Sequence, residues 1–277
     1  MLEKSTLYIC ATPIGNLGDI TLRVLETLKE VDFIAAEDTR HSRKLLNHYD
    51  IKTPLISYHQ HNEKFRTNEV IMRLKAGETC ALISDAGMPG ISDPGQVLIK
   101  ACLKENLKID VLPGPNAALT ALVLSGMPTD NFIYLGFLPT VQGERKRILT
   151  SVAELTCTMI FYEAPHRLIR TLEDIHEILG DRVTVVAREL TKLHQSVHRG
   201  LISELLEQFR IAAPKGECCI LLGPPVREIE QGQPDDWLCE VNKLEREGKN
   251  SKEAMKIVAK KRGISKRDIY KARLEQK

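Results

Sequence analysis

The chain has 277 residues, 43% of them hydrophobic and 27% charged, with a net charge of +2. That is ordinary globular composition and enough length for about two domains. No run of about 18 apolar residues occurs, so a helical membrane span is excluded. The start, MLEKSTLYICAT, lacks the basic, apolar and cleavage regions of a secretion signal.

Seven scattered cysteines, odd in number and without a C-x-x-C pair, point away from a disulfide framework or zinc site and toward a reducing, cytoplasmic location. The small net charge hides an asymmetry. Residues 249–277 hold eleven Lys or Arg against three Asp or Glu. A basic tail on a mildly acidic body suggests a polyanionic partner, unless the tail is simply a solvated helical face.

In chain order, TLYICAT reads as a strand and TLRVLETLKEV as a helix, with Leu22, Leu25 and Leu28 at helical spacing. FIAAED (strand), RHSRKLLNHY (helix), LISYH (strand) and NEVIMRLKAG (helix ending at Gly77) follow. TCALISD and KIDVLPG are further strands around the helix QVLIKACLKEN. This alternation predicts βαβ units and a largely parallel sheet.

The middle segment carries NFIYLGFLP and CTMIFYEAP as strands and HRLIRTLEDIHEILG as a helix. RVTVVAREL, HQSVHRG, ISELLEQFR and ECCILLGPP then read as strand, strand, helix and strand. They predict a second, mixed-sheet α/β domain. After GPPVREIEQGQPDDW the pattern turns helical, with Ser251 as a cap and Ser265 with Asp268 as a partial capping box. The expected division is 1–117, 118–228 and a basic helical extension over 229–277.

Three loops stand out after strands: ATPIGNLGDIT, SDAGMPGISDPG and LPGPNAAL. In a parallel sheet the strand C-termini share one edge, where ligands of open α/β sheets bind. Glycine permits the tight turns and close approach such a cradle needs. Neither a G-x-x-x-x-G-K-[ST] nor a G-x-G-x-x-G motif is present. The loops bring Asp19, Asp85 and Asp93 instead, which would repel polyphosphate and suit a hydroxyl, ammonium or sulfonium. A phosphate-free, cationic nucleoside such as S-adenosylmethionine fits. In SDAGMPGISDPG, Asp85 to Pro89 are the expected contacts, and Ser92 to Gly95 are expected to turn the chain and cap the next helix.

ATPIGNLGDIT, AAEDTRHSRKLL, SDAGMPGISDPG, LPGPNAALTALVLSGMP, FYEAPHRL and ARELTKLHQ together resemble the small-subunit ribosomal-RNA methyltransferase I group of the tetrapyrrole methylase superfamily, from about Leu7 to Gly223. The resemblance implies two α/β domains with a cofactor cleft between them and a short helical C-terminal extension. It further implies S-adenosylmethionine as cofactor, 2′-O-methylation of a decoding-region cytidine in 16S rRNA or the small ribosomal subunit, and a homodimer.

By motif it assigns cofactor contact to Pro13, to Asp85, Ala86, Gly87, Met88 and Pro89, and to Asn116, Ala117 and Ala118. From the second domain it adds Tyr162, Glu163, Leu190, Glu217 and Cys218, the last in place of an expected aliphatic residue.

Methylating a ribose hydroxyl benefits from a base or a cation near the alkoxide. The candidates are Arg40, His41, Glu163, Arg188 and Glu189. Arg40, Arg43, Lys44, Arg145, Arg147, Arg188 and Lys192 are the expected RNA contacts. Asp38 or Thr39 could equally be a helix cap, and the GERKRIL cations a solvated helix start. HQH at 59–61 and HQSVH at 194–198 lack supporting ligands, so no metal is expected. A methyltransferase acting on a tetrapyrrole, and an RNA-binding protein without catalysis, remain as alternatives.

Overall fold

The computed structural model describes residues 2–212, 214–225 and 233–275. It divides into two compact units, Met1–Pro225 and Val226–Lys277.

The first sheet of the larger unit holds β1 (Thr6–Cys10), β2 (Phe33–Ala36), β3 (Leu55–Ser57), β4 (Cys80–Ile83) and β5 (Lys108–Leu112). Their order is β3-β2-β4-β1-β5, and every pairing is parallel. The three central strands are buried at every position because helices cover both faces. Alternate residues therefore serve different cores. Tyr8, Cys10, Ile34 and Ile83 pack with Val24 and Leu28 of α1 (Leu22–Glu30) and Leu45 of α2 (Thr39–His48). Leu7, Ile9, Phe33 and Leu82 pack with Val70 and Leu74 of α3 (Glu63–Lys75) and Leu98 of α4 (Gln96–Lys104). Leu22 is 78% exposed, so the buried face of α1 is Val24, Thr27 and Leu28 rather than a Leu22 stripe. Gly77 ends α3 with φ +97°. Its N–H and that of Glu78 return to Leu74 and Arg73, which closes the last helical carbonyls.

The second sheet is mixed, as the sequence predicts. It contains β6 (Phe132–Phe137), β7 (Thr158–Glu163), β8 (Val183–Arg188), β9 (Ser196–Leu201) and β10 (Cys218–Leu222), in the order β6-β7-β10-β8-β9. Only β6 with β7 is parallel. One face packs against α6 (Gln142–Ser151), α7 (Leu168–Leu179) and α8 (Ile202–Ile211). The other face receives α5 (Ala117–Ser125) together with Ile14 from the first sheet's leading loop. That shared core joins the two sheets.

The smaller unit is a bundle of α9 (Pro234–Arg246), α10 (Ser251–Arg262) and α11 (Lys266–Glu275). Leu238, Val241, Met255, Val258 and Ile269 form its core, with Trp237 packed against them. Asn250, not Ser251, caps α10: its side chain accepts from the Glu253 N–H at 2.9 Å. Ser265 does cap α11, through the Asp268 N–H. All seven cysteines are free thiols. Among the described residues no helix is long and apolar enough to cross a membrane.

Candidate active site

The loops after β1, β4 and β5 converge at the C-terminal edge of the parallel sheet. Thr12 and Gly87 exchange backbone hydrogen bonds of 2.8 and 2.9 Å, and the Thr12 hydroxyl donates to the Ser84 carbonyl. Gly87 reaches this bridge with φ +82°. Gly114 lies so near Ala11 that an added Cβ would stand 2.9 Å from the alanine methyl. Backbone approach of this kind explains why glycines are concentrated there.

A cavity of about 390 Å³ opens over these loops, within the ordinary range for a small-molecule site. Asp85, Ala86, Gly87 and Met88 line it from the second loop, and Asn116 and Ala117 from the third. Tyr162, Glu163, Leu190, Glu217 and Cys218 line it from the second sheet. Three expected contacts do not. Pro13 and Pro89 are buried away from it, and Ala118 packs into the second sheet's core while its N–H donates to the Tyr162 hydroxyl at 3.0 Å. Ile14, rather than Pro13, carries the first loop into the cavity.

Sequence reasoning missed the apolar lining residues Ile91 and Phe137, whereas Glu37 and Asp93, two carboxylates of the strand-end loops, do line the cavity. Phe137 and Tyr134 meet the Tyr162 ring edge-on, at 5.6 and 5.1 Å. The largest correction concerns Asp93. It does not cap α4; that place belongs to Gly95, at φ +138° and without a side-chain cap. Asp93 faces the cavity instead. Burial, then the neighbouring Glu37 and Asp85 carboxylates, push its carboxyl up to about 7. Glu37 is raised as well, by burial and by Asp85. Ser92 adopts φ +63°, and its hydroxyl pairs with that of Tyr134 at 2.6 Å, steadying the turn.

Several expected site residues are structural. The Glu163 carboxylate accepts from the Ala164 N–H, the Thr171 hydroxyl and Arg167 Nε, which leaves it engaged rather than poised as a base. Glu189, at φ +48°, accepts from the Glu217 N–H and from Lys192. Burial pushes its carboxyl up, but those two donors outweigh burial and hold it below the ordinary range. Lys192 is itself clamped between Glu189 and Glu217 and is no free phosphate contact.

Arg145 is the clearest reversal. It is 5% exposed, paired with Asp174 at 2.5 Å and bonded to the Pro139 and Thr140 carbonyls. Arg188 spends its donors on the Lys215 carbonyl and Ser196. Arg147, Arg43, Lys44 and His41 are exposed. Arg40 is exposed too, at the start of α2, where Asp38 is the cap and also pairs with it at 3.3 Å. His198 bonds Ser196 and Gln208.

The lining's charge is one-sided. Five carboxylates and no Lys or Arg line the cavity. Glu163 and Glu217 have cationic partners, whereas Glu37, Asp85 and Asp93 have none among the described residues. Such a site rejects phosphate and favours a cation with an apolar body, so the residues present fit a sulfonium nucleoside.

Residues 6–206 match the model of the tetrapyrrole (corrin/porphyrin) methylases. The chain belongs to the tetrapyrrole methylase family. It is therefore a methyltransferase, and its curated relatives agree. It is 47% identical to the ribosomal RNA small subunit methyltransferase I of Halalkalibacterium halodurans, over 97% of this chain and 94% of that one. The protein of the same name from Thermotoga maritima is 49% identical over 216 residues, 78% of this chain and 97% of its own length. That relative is shorter than this chain by about the size of the smaller unit. Among solved structures, diphthine synthase superposes with a TM-score of 0.63 at 12% identity, covering 79% of this chain and 90% of that one, and so shares the fold.

Proposed function

We propose that this methyltransferase uses S-adenosylmethionine to methylate the ribose 2′-hydroxyl of a decoding-region cytidine in 16S rRNA. The observation that carries the cofactor is the cavity's unbalanced acidity, with five carboxylates and no Lys or Arg. Relatives of one name matched over nearly the whole chain support the RNA substrate. When bound, the cofactor supplies an electrophilic methyl group on a sulfonium.

The chain's own residues do the rest. Ile14, Ala117, Leu190 and Phe137 would hold the apolar body, and Asp85 the polar edge. Orientation of donor and acceptor is worth about 7–11 kcal/mol in such transfers. We assign to Asp93 the hydroxyl proton, since a carboxyl near neutrality can both accept and release it. Arg40, Arg43, Lys44 and Arg147, all exposed, remain the RNA contacts of this reading.

The reading further includes a cytoplasmic homodimer, which the exposed apolar Leu119 and Val123 on α5 would serve. Its first domain division, 117/118, falls at the start of α5, and its second, 228/229, lies outside the described residues. The test is ribose-methylation mapping on 16S rRNA from cells with and without the protein. Loss of one modified cytidine in the decoding region is the expected result. Unchanged rRNA, with labelled methyl going instead to a porphyrin precursor, would overturn it.

A further inference from the structure

The smaller unit sorts its charges by helix. On α9 the carboxylates of Glu240 and Glu245 engage Lys261, Arg262 and Arg273 from the other two helices. Those cations are consumed in holding the bundle together. The remaining ones face outward. On α10, Lys252, Lys256 and Lys260 recur every fourth residue, opposite the buried Ala254, Met255, Val258 and Ala259. On α11, Arg267, Tyr270, Lys271 and Leu274 share one face, opposite the buried Ile269 and Ala272. Among the described residues, none of these five cations has a carboxylate partner. Tyr270 is 54% exposed between two of them.

We infer that the smaller unit is an RNA-docking module whose contacts are Lys252, Lys256 and Lys260 on α10 and Arg267, Tyr270 and Lys271 on α11. Unpaired cations meet phosphates and release counterions on binding. An exposed tyrosine between cations offers a surface on which a base can stack. The module is accessory to the chemistry, because the T. maritima relative has no length for it. The inference rests on the proposed rRNA substrate and adds to it a second, separate point of attachment.

The test uses the full-length protein and a 16S rRNA fragment spanning the decoding region. The variant Lys252→Gln/Lys256→Gln/Lys260→Gln/Arg267→Gln/Lys271→Gln is expected to bind the fragment about tenfold or more weakly near physiological salt. The slope of log affinity against log salt should become shallower by about 3 to 4. Tyr270→Ala is expected to weaken binding about fivefold or more and leave the slope alone. Calorimetric binding of S-adenosylmethionine, equal to wild type, shows that the larger unit is intact in both variants. Affinity and slope unchanged in the five-fold variant would overturn the inference. So would cation-dependent binding to anionic lipid vesicles with none to RNA. Failure of the substrate reading shows separately, as absence of methyl transfer to the fragment by wild-type protein.

Discussion

The two sheets of the larger unit contribute to the same cavity in different ways. The parallel sheet gives it loops: backbone bridges, glycines at positive φ and the three carboxylates Glu37, Asp85 and Asp93. The mixed sheet gives it side chains on or beside its strands, and there the charges are already answered, Glu163 by Arg167 and Glu217 by Lys192. Unpaired charge in a partly buried place costs stability, and the chain confines that cost to one side. The difference suggests that the parallel half is shaped for the ligand's charge and the mixed half for rigid cover.

The strongest way to test that division is to break the rigid half. Asp174→Ala would leave Arg145 buried without its partner and should cost about 3–5 kcal/mol in urea unfolding. A loss below about 1 kcal/mol would mean that this pair is solvated and the half less rigid than described. In the parallel half, Gly95→Ala should cost about 1–3 kcal/mol. It forces a side chain into φ +138° and sets its Cβ 2.8 Å from Leu82. Gly143→Ala, in open space on α6, is the contrasting control and should gain about 0.5–1 kcal/mol.

The charge difference can be sharpened by pH. A carboxyl raised in the folded state binds more protons there than when unfolded. Asp93 therefore lowers stability as pH climbs from its ordinary value of 3.8 toward about 7. Ionised, the same group attracts a cation. Cofactor affinity measured by calorimetry should rise through pH 7, and Asp93→Asn should flatten that rise by about tenfold. A wild-type affinity that falls over this range would contradict the assignment. The smallest effect belongs to Tyr162→Phe. It removes the acceptor for the Ala118 N–H and should cost about 1 kcal/mol, read by denaturation.

Much of this was legible in the sequence. The strands TLYIC, FIAA and CALI are short apolar runs between turn signals, and the glycine loops mark the sheet edge they build. The mixed second sheet was read from its succession of strand, strand, helix and strand segments. What could not be read depends on partners distant in the chain. Arg145 looked like a surface cation because Asp174 lies 29 residues away on another helix. Asp93 looked like a cap because a local rule fitted it. Its burial beside Glu37, from a different βα loop, exists only after folding. The chemistry of Lys192 was hidden likewise, since one of its two carboxylates comes from 25 residues downstream.

The placement of aromatic residues has an optical consequence. The chain's single tryptophan, Trp237, packs against the core of the smaller unit, whereas Tyr162 lines the cavity with Tyr134 edge-on behind it. Indole emission therefore reports the smaller unit alone, free of any signal from the larger one. An unlabelled sample can thus follow events at the smaller unit while the larger one stays silent.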